Sequence, residues 1–237
     1  MIHFFPSAAM RRVLAFIGLA VGLLLALPSR ADGLDSLARF LRDTHSGTAR
    51  FTQIVTSPPG GHEGDAVPQK ARQRTQNGTF AFKRPGQFRF DYEAPFAQII
   101  VADGKTLWLY DADLNQVTAR PQAQMLASTP AALIATATDL KALQRDYVLT
   151  DDGEQSGEQW IKAVPKSRGD GTSTALQSVR VGLKTGADGI PSLAALDILD
   201  SFGQRSQITF SDFQINAAIS ASRFQFTPPP GADVLRE

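Results

Sequence analysis

The chain contains no cysteine. That excludes disulfides, thiol nucleophiles, cysteine zinc sites and a lipid anchor carried on an N-terminal cysteine. Histidine is almost as scarce, with three in all. His45 and His62 stand alone, and no H-E-x-x-H or paired histidine spacing exists, so no metal site or cofactor is expected. A glycine-rich phosphate loop and a G-x-S-x-G elbow are also missing. The acid pairs Asp111/Asp113 and Asp151/Asp152 fall in expected turns, where short acids are common. The formal net charge is +1, with no basic stripe for nucleic acid. These absences favour a binding protein over an enzyme.

What is present begins with a secretory signal pattern. Arg11 and Arg12 precede an apolar run from Val13 to Leu27, and Ser29-Arg30-Ala31 places small residues for a cut after Ala31. The run is shorter than the roughly 20 residues that span a bilayer as a helix. Residues 1–31 are therefore expected to be cleaved, leaving a single domain over 32–237 outside the inner membrane. Loss of three arginines and no acid moves the net charge from +1 to −2.

The remaining chain is patterned mainly as β-structure. Leu34, Leu37, Ala38 and Leu41 repeat at helical spacing, with Gly47 as a stop. A strand follows over Phe51–Val55. Residues 57–77 are rich in breakers and charge and predict a long exposed loop, ending in the turn pair Asn77-Gly78. Phe80, Phe82 and Arg84 then share one face, as do Phe88, Phe90 and Tyr92, with Arg89, Asp91 and Glu93 on the other. Pro85-Gly86, Asp103-Gly104 and Asp111 to Asn115 are turns. Short strands at Gln98–Val101, Leu107–Tyr110 and Gln116–Ala119 make an antiparallel meander. Helical pieces are expected at Ala131–Ala137 and Leu140–Leu143. Strands resume at Tyr147–Thr150, Gln159–Val164, Leu176–Val181, Ile190–Asp200, Gln204–Phe210 and Phe213–Ile215. The chain then ends polar.

Fifteen Phe stand against three Tyr and two Trp. Phe needs no hydrogen-bond partner, so it suits a sealed core and a lipid pocket equally. Arg84 poses a sharper question. By alternation it faces inward, where an unpaired charge is costly. Alternatively the strand ends at Lys83 and Arg84 reaches solvent.

Several motifs in order resemble the outer-membrane lipoprotein carrier protein (LolA) family. They are Lys83-Arg84-Pro85-Gly86-Gln87-Phe88 through Ala94-Pro95, Asp103-Gly104-Lys105-Thr106-Leu107-Trp108, Asp200-Ser201-Phe202-Gly203-Gln204 and Phe224-Gln225-Phe226-Thr227-Pro228-Pro229. The resemblance runs from about Leu34 to Leu235. It implies an incomplete antiparallel β-barrel of roughly eleven strands, covered by about three short helices over an apolar cavity. It also implies a periplasmic chaperone for acylated lipoproteins. Such a carrier takes cargo from an inner-membrane ABC-type releasing complex and passes it to an outer-membrane receptor lipoprotein. The alternative is a periplasmic sensing module of the same fold. A monomer is expected.

By the same resemblance, Arg84 matches an arginine that holds the lid through hydrogen bonds, and Phe88 an aromatic that engages the inner-membrane complex. Phe90 stands where the family often has Trp, and residues 57–77 and Lys166–Thr174 look long for it. Candidates for lining the cavity or engaging partners are Phe80, Phe82, Phe88, Phe90, Tyr92, Ile99, Val101, Leu107, Leu109, Leu126, Leu133 and Ile134.

Overall fold

Alternating apolar and polar residues need a sheet with one face covered, and the chain solves this with very few helices. The computed structural model describes residues 32–59, 71–125, 137–167 and 175–236. The first helix, α1, spans Gly33–Asp43. Six strands follow: β1 Ser46–Ser57, β2 Arg72–Lys83, β3 Gln87–Tyr92, β4 Gln98–Asp103, β5 Thr106–Asp111 and β6 Gln116–Pro121. Two short helices come next, α2 Gln122–Met125 and α3 Leu140–Asp146. The remaining strands are β7 Tyr147–Gln155, β8 Glu158–Pro165, β9 Leu176–Thr185, β10 Pro191–Asp200, β11 Arg205–Ile215 and β12 Asp233–Arg236. A 3₁₀ turn at Ala221–Phe224 precedes β12.

The twelve strands among the described residues form one open sheet, ordered β12-β6-β5-β4-β3-β2-β1-β11-β10-β9-β8-β7. Every pairing is antiparallel except β12 on β6, which is parallel. The expected mainly β fold with a small helical cover is what the chain adopts, with β7 and β12 as unclosed edges.

The register assigns the faces. Phe82 pairs with Phe88 and Phe80 with Phe90, and on the next strands Phe88 meets Ala102 and Phe90 meets Ile100. Paired residues point to the same side, so these share one apolar face with Leu107 and Leu109 of β5. The face continues through Phe51, Phe210, Leu196, Val181 and Ile161. Helix α1 lays Leu37, Phe40 and Leu41 on it, and α3 adds Leu143. Asp32 caps α1 through its side chain to the Leu34 N–H at 3.2 Å.

The opposite face has a smaller core. Val101 pairs with Trp108, and Trp108 and Tyr110 lie 5.7 and 6.0 Å from the Phe226 ring. Phe224, fully buried, sits on β3 and β4. The C-terminal segment is thus strapped across the outside of the sheet. Arg223 fixes it by an ion pair to Asp91 at 2.6 Å.

Several sequence expectations need correction. Asp151 and Asp152 lie within β7 and not in a turn. Residues 72–77 of the expected 57–77 loop belong to β2, and residues 60–70 lie outside the described residues. Asn77-Gly78 is no turn, because it sits inside β2 opposite Thr52 and Phe51. Gly47 does not stop α1; that helix ends at Asp43 and Gly47 is in β1. The separate strands Gln204–Phe210 and Phe213–Ile215 are one strand, β11. Asp212 bends it at φ 54, where the β1–β11 register slips opposite Thr48 and Arg50. The strand β12 lies in the end that the sequence marks only as polar. The signal segment, residues 126–136 of the expected helical insertion, and residues 168–174 of the long stretch lie outside the described residues.

The Asp103-Gly104 turn is confirmed and heavily tied. The Asp103 carboxylate accepts from the backbone N–H groups of Lys105 and Thr106 at 2.8 Å and from Trp108 Nε1 at 2.9 Å. Partial burial acts to raise its pKa, but these hydrogen bonds outweigh it and hold the carboxyl below its ordinary value. Because the folded pKa is depressed, this contribution is present above the unfolded value and fades as acid titrates the folded carboxylate. Asp103→Ala should cost about 2 kcal/mol by stranding three donors, read as a lower urea midpoint at neutral pH. The deficit should narrow in acid; a constant deficit would sink this account.

Candidate functional site

The site is built where the end of β2 meets the end of α1. The strand β2 carries Phe80 and Phe82 onto the apolar face and finishes at Lys83. Arg84 follows, and its backbone N–H donates to the His45 carbonyl at 2.8 Å. The chain then turns through Pro85 and Gly86, with Gly86 at φ +80, a value suited to glycine. Gln122 braces this turn, donating to the Gly86 carbonyl at 2.6 Å and accepting from Gly104 N–H at 2.9 Å.

The Arg84 side chain turns inward. One Nη donates to the carbonyl of Thr44, the C-cap residue of α1. The guanidinium lies 5.0 Å from the Phe40 ring centroid on α1 and 5.1 Å from that of Phe82 on β2. It is therefore held between the sheet and the helix, and it satisfies a carbonyl at a helix end. Burial pushes its pKa down to about 10. Both sequence alternatives were half right: the strand does end at Lys83, yet Arg84 stays under the helix.

Beside Arg84 opens a cleft of about 760 Å³, bounded by Leu41, Arg42 and His45 from the α1 end, Pro85, and Leu140 and Lys141 at the start of α3. Deeper, between α1, α3 and β7–β9, the apolar side chains leave a void of only about 10 Å³. Among the described residues, α1 and α3 thus rest on the sheet as a cover, and their side chains fill the space over β7–β9.

The four Phe candidates are brought together. Phe80 and Phe90 have ring centroids 4.5 Å apart, Phe80 and Phe82 5.7 Å, and Phe88 and Phe90 6.3 Å. All four are buried, and Tyr92 joins them half-buried beside Phe51 at 5.0 Å. Leu107 and Leu109 share their face. Ile99 and Val101 do not: they pair with Tyr110 and Trp108 on the outer side. The run Ile99-Ile100-Val101-Ala102 is apolar at every position because both its faces are covered, so hydrophobicity could not phase it. Leu126, Leu133 and Ile134 lie outside the described residues. Sequence reasoning missed Phe40 and Thr44. Phe40 was detectable, since it falls within the apolar stripe of α1. Thr44 was not, since it contributes only a carbonyl.

Residues 42–227 match the family model of the outer membrane lipoprotein carrier protein LolA. The chain belongs to the LolA family. An outer-membrane lipoprotein carrier protein of Albidiferax ferrireducens is 54% identical over 207 residues, covering 87% of this chain and 92% of that protein. One from Leptothrix cholodnii is 45% identical over 234 residues, covering 98% and 100%. One from Neisseria gonorrhoeae is 38% identical over 207 residues, covering 87% and 88%. Among solved structures, a LolA superfamily protein from Nitrosomonas europaea aligns with a TM-score of 0.43 at 13% identity, covering 82% of this chain and 96% of that one. Likeness at that distance bears on neither cargo nor partners. The LolA-family match contains Thr44, Phe82, Arg84, Gly104 and Gln122 of this junction, and Phe40 precedes it.

Proposed function

We propose that this protein is a periplasmic lipoprotein carrier. The observation that carries the proposal is the Arg84 junction: a mainly apolar cover is latched to an apolar sheet face by a side chain that donates to a helix-end carbonyl. Lipid acyl chains would displace the α1 and α3 side chains from that face. Each buried CH₂ is worth about 0.8 kcal/mol, so several acyl chains offset the loss of the helix contacts. A cover that favours the closed state keeps the net hold on lipid moderate, which hand-over requires. Phe80, Phe82, Phe88, Phe90, Tyr92, Leu107 and Leu109 are the sheet side of this space, and Arg84 is its latch.

Residues 1–31 direct export and are removed, and the released chain moves freely between the two membranes. It accepts triacylated lipoproteins from an inner-membrane ABC-type complex and delivers them to an outer-membrane receptor lipoprotein. It acts by binding, without catalysis. Purified protein added to spheroplasts is expected to draw newly made lipoproteins from the inner membrane into a soluble one-to-one complex. If lipoproteins remain in the membrane pellet, the carrier role is wrong.

A further inference from the structure

Of the seven large apolar side chains exposed among the described residues, Val148, Val164 and Leu235 lie within strands, Ile190 lies in the β9–β10 turn, and three stand at the tips of other turns. Phe202 is 80% exposed at the β10–β11 turn, Leu114 is 70% exposed at the β5–β6 turn, and Phe96 is 41% exposed at the β3–β4 turn. All three turns project from the same end of the sheet. The register shows it: Leu199 pairs with Arg205, Thr56 with both Arg205 and Gln73, Tyr92 with Gln98, and Gln98 with Asp111. At strand spacings of about 4.8 Å, the tips are distributed along roughly 30 Å of rim.

Two of these tips are pre-ordered. Asp200 accepts from the N–H groups of Phe202 and Gln204 at 2.9 and 2.8 Å. Asp111 accepts from those of Asp113 and Leu114 at 3.0 and 3.1 Å. Both are Asx-type turns, which accept any polar residue at the exposed position. Phe202 and Leu114 therefore contribute nothing to the turns that display them. Arginines stand between the tips: Arg72 and Arg205 are exposed at the ends of β2 and β11, and Arg74 lies 4.4 Å over the Phe96 ring. Arg205 is itself bonded to the Asp197 carboxylate at 2.8 and 2.5 Å. Of the other described acids nearby, Asp111 and Asp200 are engaged by backbone and Glu93 pairs with Arg50 at 3.2 Å; Asp113 is exposed.

We propose that this end of the sheet docks on the interface of an anionic phospholipid bilayer. Single apolar side chains on separate convex tips match no continuous protein groove, but each can enter a headgroup layer independently. Arg72 and Arg74, between the tips, suit the phosphates there. The cover and its cleft are left free, so the surface is distinct from the lipid-carrying space and does not rest on the carrier role.

The absence of cysteine makes a site-specific test clean. Phe202→Cys and Leu114→Cys, each labelled with an environment-sensitive dye, should shift to the blue when vesicles of phosphatidylethanolamine with phosphatidylglycerol are added. Ile190→Cys, at the opposite end of the sheet, should not. The triple variant Phe96→Ser/Leu114→Ser/Phe202→Ser should float with these vesicles about tenfold less than the parent, at an unchanged melting temperature. Arg72→Gln should weaken binding to these vesicles and leave any residual binding to phosphatidylcholine vesicles unaltered. The proposal is overturned if the parent protein does not float, if the Ile190 label shifts as much as the Phe202 label, or if the triple variant floats like the parent. A triple variant that floats normally yet fails to deliver cargo would instead place a protein partner on the tips.

Discussion

Arg84→Leu is expected to take up lipoprotein as well as the parent protein but to pass it to the receptor about ten- to a hundredfold more slowly. The range follows from the bond removed. A hydrogen bond from a charged donor is worth about 1.5–3 kcal/mol net, and each 1.4 kcal/mol is a factor of ten. That bond joins the β2 end to the Thr44 carbonyl at the end of α1. Its loss removes a bias toward the closed cover, so cargo is held longer. Arg84→Lys, which can still donate to the Thr44 carbonyl, should recover part of the transfer rate. Transfer of a labelled lipoprotein from purified complex to receptor reads all three proteins. Arg84→Leu passing cargo at the parent rate would end the latch account.

The same variant should stay close to the parent in stability, because relief of a buried charge opposes the loss of the bond. Burial lowers the Arg84 pKa from its ordinary value to about 10. The folded state therefore binds this proton less tightly than the unfolded chain, and stability gained by deprotonation would appear only between about pH 10 and the unfolded value. At neutral pH the full cost of burying the charge is present. Leucine removes that cost and keeps the apolar contact with Phe40 and Phe82. A melting temperature close to that of the parent, together with slow transfer, separates a latch from a merely structural residue.

Gly78→Ala is expected to destabilise the fold by about 3 kcal/mol, the upper end of the usual cost of overpacking. For a chain of this size that lowers the melting temperature by about 6–12 °C. A Cβ at Gly78 would lie 2.1 Å from the Asp91 carbonyl oxygen and 2.8 Å from two carbons of the Phe51 ring. The carbonyl belongs to β3, hydrogen-bonded to β2, so relieving the clash displaces the ladder. The Phe51 ring is fixed in turn by Phe90 at 5.3 Å and Tyr92 at 5.0 Å. Gly157→Ala is the control. Its site has φ +77 and nothing within 4 Å, so only about 1 kcal/mol of backbone strain is expected. Equal losses in the two variants would show that close approach at Gly78 is not the constraint.

Gly78 also shows why sequence turns into structure unevenly. An Asn-Gly pair marks a turn when glycine is needed for positive φ. Here glycine is needed for lack of a Cβ, and composition cannot distinguish the two demands. The 57–77 segment failed similarly. Charged, breaker-rich residues read as a loop, but Arg72 to Gln76 extend β2 beyond the covered face, where alternation carries no apolar signal. The Phe80, Phe82, Phe88 and Phe90 face was legible because one side of β2 and β3 is sealed and the other is polar. Ile99 and Val101 were misplaced because both sides of β4 are covered.

By itself the sequence determined the class of structure: a cysteine-free β-meander with a helix in front, interrupted midway, with aromatic residues concentrated on one face and Arg84 at its end. These are local properties, set by side-chain period and turn chemistry. Only the tertiary structure decided that the open sheet has two apolar faces, that the C-terminal segment is strapped across the outer one, and that Arg84 reaches a carbonyl 40 residues earlier. It also placed Phe96, Leu114 and Phe202 on one rim. Each of these depends on the register between distant strands, and register is set by which faces are buried together. The arginine was visible from the start as a charge on an apolar face. The Thr44 carbonyl that it reaches leaves no mark in a sequence.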